Sequence, residues 1–187
     1  MYLTGHLLIA MPGLADPNFH RTVTYLCEHT EDGALGLVIN RPLAIDLGEV
    51  FDQLDLTAAD PALARQPVLQ GGPVHPERGF VLHAGDADAV AGFEATLSVT
   101  DSIRVTTSQD ILAALAGGRG PRRALLALGY AGWAAGQLEE ELAANAWLSV
   151  PATPEILFET PFEARWRAAA RLLGIDLATL SSDAGHA

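Results

Sequence analysis

At 187 residues, 49% of them hydrophobic, the chain has the length for one domain with a substantial core, and a formal charge of −12 makes its average surface repel nucleic acid and anionic membranes. All eleven basic residues are arginines, which excludes Schiff-base chemistry and a phosphate loop built on lysine. The single cysteine, Cys27, excludes an internal disulfide and any metal site made of several cysteines.

In chain order, short apolar runs at 7–11, 23–27 and 35–39 have the length and residue choice of strands. The run at 7–11 is too short to span a bilayer and follows no positive segment, so neither a signal peptide nor a transmembrane helix is expected and the expected location is the cytoplasm. Residues 22–29 and 34–40, joined by Glu31-Asp32-Gly33, predict a hairpin. Leu47, Val50, Phe51 and Leu54 predict a helix over 46–54 started by Asp46, and 57–66 reads as loop or broken helix. Strands follow at 67–70, 79–83, 95–100 and 103–106, then a helix over 108–116 stopped by Gly117-Gly118. Residues 124–130 read as a strand covered on both faces, and 134–144 as a helix. Thr160-Pro-Phe-Glu163 has the form of a capping box, opening a helix whose apolar stripe is Phe162, Trp166, Ala169, Ala170 and Leu173. A short helical turn is expected at 176–180, and a flexible polar tail at 181–187. Strands early with helices interspersed predict α+β: a single domain over 1–180 with a mixed or antiparallel sheet and flanking helices.

Polar residues collect at the predicted strand ends. Asn18, His20 and Arg21 fall in the first gap, and Asn40 and Arg41 follow the third strand. If the first and third strands lie side by side, Arg21 and Arg41 meet, and two guanidinium forks with amide donors suit a carboxylate or phosphate. Gly71 and Gly72 offer backbone N–H groups at close approach to such a ligand. The same residues also serve as ordinary turn chemistry, with arginine tying a loop down through carbonyls. Trp133 and Gln137, four apart on an expected helix face, would form a further pocket wall, or simply pack a strand–helix junction. Cys27 and His29, two apart in a strand, would face the same way, making Cys27 a candidate reactive thiol against the alternative of core filler. No metal-ligand spacing and no cofactor motif occurs, so none is expected. The glycines of Ala116-Gly-Gly-Arg-Gly-Pro121 follow a helix and precede a strand, the reverse of a phosphate loop.

The words Gly5-His-Leu-Leu-Ile-Ala-Met-Pro-Gly13, Asp16-Pro-Asn-Phe-His-Arg-Thr22 and Gly36-Leu-Val-Ile-Asn-Arg-Pro42 closely resemble the AlgH/YqgE family of bacterial proteins, as do Gln70-Gly-Gly-Pro-Val74 and Gly129-Tyr-Ala-Gly-Trp133. The resemblance runs from Gly5 to about Trp147 and less distinctly to the C-terminal helix. It implies a mixed α+β fold and carries a label of transcriptional regulator, without assigning catalytic residues. The expected function is a binding or regulatory module for a small anionic ligand or a protein partner, acting on transcription indirectly. The alternative is an enzyme acting on an anionic metabolite at the strand-end cluster. Direct DNA binding ranks third, since Arg119, Arg122 and Arg123 are the one tight basic cluster and no helix pair presents a basic recognition helix.

Overall fold

The computed structural model describes residues 1–84 and 93–184. β1 (His6–Ala10), β2 (Val23–Thr30) and β3 (Gly33–Val38) form where the sequence places strands, and β2 and β3 make the expected hairpin, paired from Thr24↔Val38 to Thr30↔Gly33. β2 lies between β1 and β3, so the first and third strands are not neighbours. The open end of the β2–β3 hairpin, rather than a β1–β3 pair, brings the flanks at Arg21 and Arg41 together.

Pro42–Asp46 is a further strand, β4, which leads into α1 (Leu47–Gln53). Asp46 caps α1 as expected, its Oδ1 accepting from the Glu49 N–H at 3.0 Å, and Leu47 and Phe51 are buried. The broken segment holds one turn of helix, α2 (Pro61–Ala64), before β5 (Pro67–Gln70) and β6 (Val74–Ala84). β7 (Thr96–Ser98), β8 (Ile103–Thr106) and α3 (Asp110–Ala116) follow.

The long strand β9 (Arg123–Ala134) organises the sheet. It runs straight through Gly129-Tyr-Ala-Gly-Trp133, so Trp133 is a strand residue and α4 begins later than expected, at Gln137–Ala143. Gly129, at φ +79°, supplies the left-handed residue that lets the strand change direction and continue. Trp147–Pro151 forms β10, paired with β1, and α5 (Pro154–Phe158) is capped by Thr153. The expected capping box does not form. Thr160 Oγ1 instead donates to the Glu155 carbonyl at 3.1 Å, and a 3₁₀ turn at Phe162–Ala164 precedes α6 (Arg165–Arg171). α7 spans Leu177–Ala184; of the expected tail, 185–187 lie outside the described residues.

Along the main path the strand order is β10-β1-β2-β3-β9-β6-β8-β7. Neighbours are antiparallel except β5, which runs parallel to β9, so the sheet is mixed. One face packs Leu7, Ile9, Tyr25 and Leu37 against Trp166 and Ala169 of α6. The other face is covered in two parts: Leu8, Leu26 and Trp133 by Leu138 of α4, and Val81 and Leu126 by Phe51 of α1 and Ile111 of α3. Helices on both faces close a single core-bearing domain of the α+β kind.

Candidate functional site

The loop before β2 is built by Asp16. Its Oδ1 accepts from the Asn18 N–H at 2.9 Å, and its carbonyl accepts from the N–H groups of Phe19 and His20. His20 Nδ1 lies 3.0 Å from the Leu14 carbonyl and donates to it. Arg21 then adopts φ +55°, a left-handed backbone conformation that surroundings must hold for a non-glycine residue. Asn40 holds it: Nδ2 donates to the Arg21 carbonyl at 2.9 Å, while Oδ1 accepts from the Val23 N–H at 2.9 Å.

Arg41, in the connection between β3 and β4, packs its side chain against that loop. Its Nη1 donates to the Asn18 carbonyl at 2.7 Å and its Nη2 to the His20 carbonyl at 3.0 Å. Burial lowers its pKa and nearby Asp16 opposes that. The five residues expected to meet do meet, and much of their hydrogen-bonding capacity is spent on backbone.

Two residues that sequence reasoning did not assign to the site complete it. Arg165, at the start of α6, is 2% exposed and among the largest fully buried side chains of the protein. Its Nε donates to the Thr160 carbonyl at 2.9 Å, its Nη1 to the Ile39 carbonyl at 2.7 Å, and its guanidinium carbon sits 4.5 Å from the Phe162 ring centroid. Among the described residues no carboxylate pairs with it, and burial lowers its pKa to about 10, so it stays cationic at neutral pH. The next residue, Trp166, donates from Nε1 to the Ala10 carbonyl and carries the Arg21 guanidinium 5.3 Å above its ring. The helical spacing held the signal: Arg165 is three after Phe162 and four before Ala169, on the apolar stripe itself.

Gly71 and Gly72 serve close approach, but to a strand. Ala127 pairs with Leu69 of β5 on one side and Phe80 of β6 on the other, so the chain linking β5 to β6 crosses over β9. A Cβ on Gly71 would lie 2.3 Å from the Gly129 carbonyl oxygen, and one on Gly72 2.1 Å from the Tyr130 carbonyl carbon. The Gly71 N–H is already donated to the Leu128 carbonyl.

Trp133 and Gln137 share a partner in place of a helix face. Glu141 Oε1 accepts from Trp133 Nε1 at 3.2 Å and from Trp147 Nε1 at 3.0 Å, and Oε2 from Gln137 Nε2 at 3.0 Å. Trp133 meets the Asn18–Arg21 loop through Phe19, which stacks on it. Cys27 is the extra residue of a bulge between Leu26↔Gly36 and Glu28↔Leu35. The bulge breaks the alternation: Cys27 enters the α6-side core, while His29 is paired with Glu139 on α4, so the two do not face the same way. Burial pushes the thiol up to about 12, which keeps it protonated at neutral pH.

Sequence reasoning also missed a cavity of about 480 Å³ between α1 and α3 over β6, β8 and β9. Its lining mixes core residues such as Val81 and Leu126 with exposed polar ones such as Glu49 and Glu77, drawn from separate elements with no shared motif. No helix among the described residues is long and apolar enough to cross a membrane.

Fold and site together define an α+β protein with a mixed sheet and an arginine cluster at the open end of its N-terminal hairpin. The family model described as AlgH-like matches residues 7–178, and the chain belongs to that family. It is 58% identical over 185 residues to a UPF0301 protein of Ralstonia nicotianae, covering 99% of this chain and 95% of the relative. A UPF0301 protein of Nitrosospira multiformis is 52% identical over 185 residues, with 99% and 97% covered. The solution structure of the AlgH protein from Pseudomonas aeruginosa superposes with a TM-score of 0.79 at 52% identity, covering 100% of this chain and 97% of that one. A crystal structure of a Corynebacterium diphtheriae protein, at 21% identity and a TM-score of 0.74, covers 96% of this chain and 91% of its own and shares the fold.

Proposed function

We propose that this protein is a non-catalytic binding module that holds a small anion, a carboxylate or phosphate, at the cluster of Arg21, Arg41 and Arg165, and that any effect on transcription passes through that ligand or a protein partner. The observation that carries the reading is Arg165. A guanidinium taken out of water without a counter-ion is costly, and carbonyl oxygens and a ring face offset the cost only in part. In a chain with 23 acidic residues, three guanidiniums converge on the ends of β1–β3 and none forms an ion pair among the described residues. Among the described residues, Arg165 Nη2 and the Arg21 guanidinium donate no hydrogen bond, leaving a fork for an oxyanion. Direct duplex binding draws less support, because Arg123 of the other basic cluster is paired with Glu159.

The test is a thermal-shift titration with inorganic phosphate, succinate and citrate against chloride at matched ionic strength, repeated on Arg21→Ala. Arg21 is exposed, so this variant keeps the fold. One anion class should raise the wild-type Tm with saturation, by about 2.7 kcal/mol of stabilisation at a hundredfold excess over Kd, and the rise should shrink in the variant. Equal shifts in both proteins, or none beyond the chloride control, would overturn the reading.

A further inference from the structure

On the opposite face of the sheet, the cavity between α1 and α3 has the size of a small-molecule site, about 480 Å³. Its floor is Val81, Leu126 and Leu128, with Val50 and Leu112 closing the sides from α1 and α3. Two exposed carboxylates stand at its edge, Glu49 on α1 and Glu77 on β6, and no arginine or histidine lines it among the described residues. Among the flanking cations, Arg78 turns its guanidinium onto the ring of Phe80, which belongs to the core on the other face. His75 Nδ1 reaches Glu77 at 3.4 Å across the surface. Thr106 adds a buried hydroxyl to the wall, 2.8 Å from both His83 Nε2 and Thr96 Oγ1. Burial, helped by Arg104, lowers His83 to about 4, so the wall behind Thr106 is uncharged at neutral pH.

These features select a ligand chemistry. An inorganic cation gains little from exposed carboxylates and nothing from an apolar floor. A carboxylate or phosphate is repelled by Glu49 and Glu77. A neutral apolar molecule leaves the acidic edge unused. We infer that the cavity is a binding site for a small amphipathic organic cation, an amine carried on an apolar body, with the body on Val81, Leu126 and Leu128 and the ammonium group at the Glu49 and Glu77 carboxylates. The site is separate from the arginine cluster and stands independently of its ligand.

Two isosteric probes, 2-phenylethylamine and 3-phenylpropanoate, test this by amide chemical-shift titration of the ¹⁵N-labelled protein. The amine should shift Val81, Thr106, Leu112 and Leu126 with saturation, and the carboxylate should bind these positions at least about tenfold more weakly, equivalent to about 1.4 kcal/mol. In the double variant Glu49→Gln, Glu77→Gln, whose changes lie on the exposed edge, the amine should lose most of that preference. Val50→Trp, which fills the cavity from a half-buried position, should abolish binding of both probes while leaving distant amides unmoved. The inference is overturned if the two probes bind equally to the wild type, if neither shifts these amides at millimolar excess, or if the amine's preference survives loss of both carboxylates.

Discussion

Asn40 stands where β2 and β3 part, and both ends of its amide are used by main chain: Oδ1 by the Val23 N–H and Nδ2 by the Arg21 carbonyl. Asn40→Ala leaves a donor and an acceptor at the hairpin's open end unpaired and releases the left-handed residue Arg21, so it should cost about 1–3 kcal/mol, read as a lowered urea midpoint at unchanged slope. This residue shows how far the sequence could be read at the scale of single side chains. That asparagine and arginine mass at strand ends was visible. Whether they face a ligand or a carbonyl depended on the path of the Asp16–Thr22 loop, which local propensity does not set. The buried guanidinium of Arg165 was legible only as an arginine on an apolar stripe, because one of its two carbonyl partners is local, on Thr160, and the other is on Ile39, 126 residues away.

The connection from β5 to β6 crosses β9 at backbone contact, and this crossing explains the Gly71-Gly72 pair at the scale of elements. Gly72→Ala would drive a Cβ to 2.1 Å from the Tyr130 carbonyl carbon, where backbone on both sides cannot move aside. The expected loss is about 3 kcal/mol or more, seen as insoluble protein or a sharply lowered urea midpoint. Gly13→Ala, whose Cβ meets nothing within 4 Å, should stay within about 0.5 kcal/mol of the wild type in the same assay. Paired glycines signalled a close approach, and the sequence left open what would approach. β4 and β10 escaped prediction for a related reason. Each is five residues long with a proline at one end, so each reads as a turn until its partner, β5 or β1, is known.

For the molecule as a whole, His83 links the fold to acid. It is fully buried, bonded to Thr106, and held near a pKa of about 4 against an ordinary 6.5. The unfolded chain therefore binds more protons between those values, so this contribution is fully present above pH 6.5 and is lost as pH falls toward 4, by about 3 kcal/mol in total. His83→Gln, which retains a hydrogen-bonding group for Thr106, should flatten the acid limb of stability when urea unfolding is compared at about pH 7 and about pH 4.5. A wild-type limb equally steep with and without His83 would rule the linkage out. The family, the α+β class, the β2–β3 hairpin, the Asp46 cap and the gathering of polar residues at strand ends are all legible in the chain alone, because each is written in local periodicity, turn chemistry or a contiguous word. It took long-range contacts to separate β1 from β3 by β2, to set the glycine pair at a strand crossing, to bury Arg165 with no carboxylate partner among the described residues and to leave a cavity between α1 and α3. Those features arise from contacts between residues far apart in the chain, and no short window of sequence contains both partners.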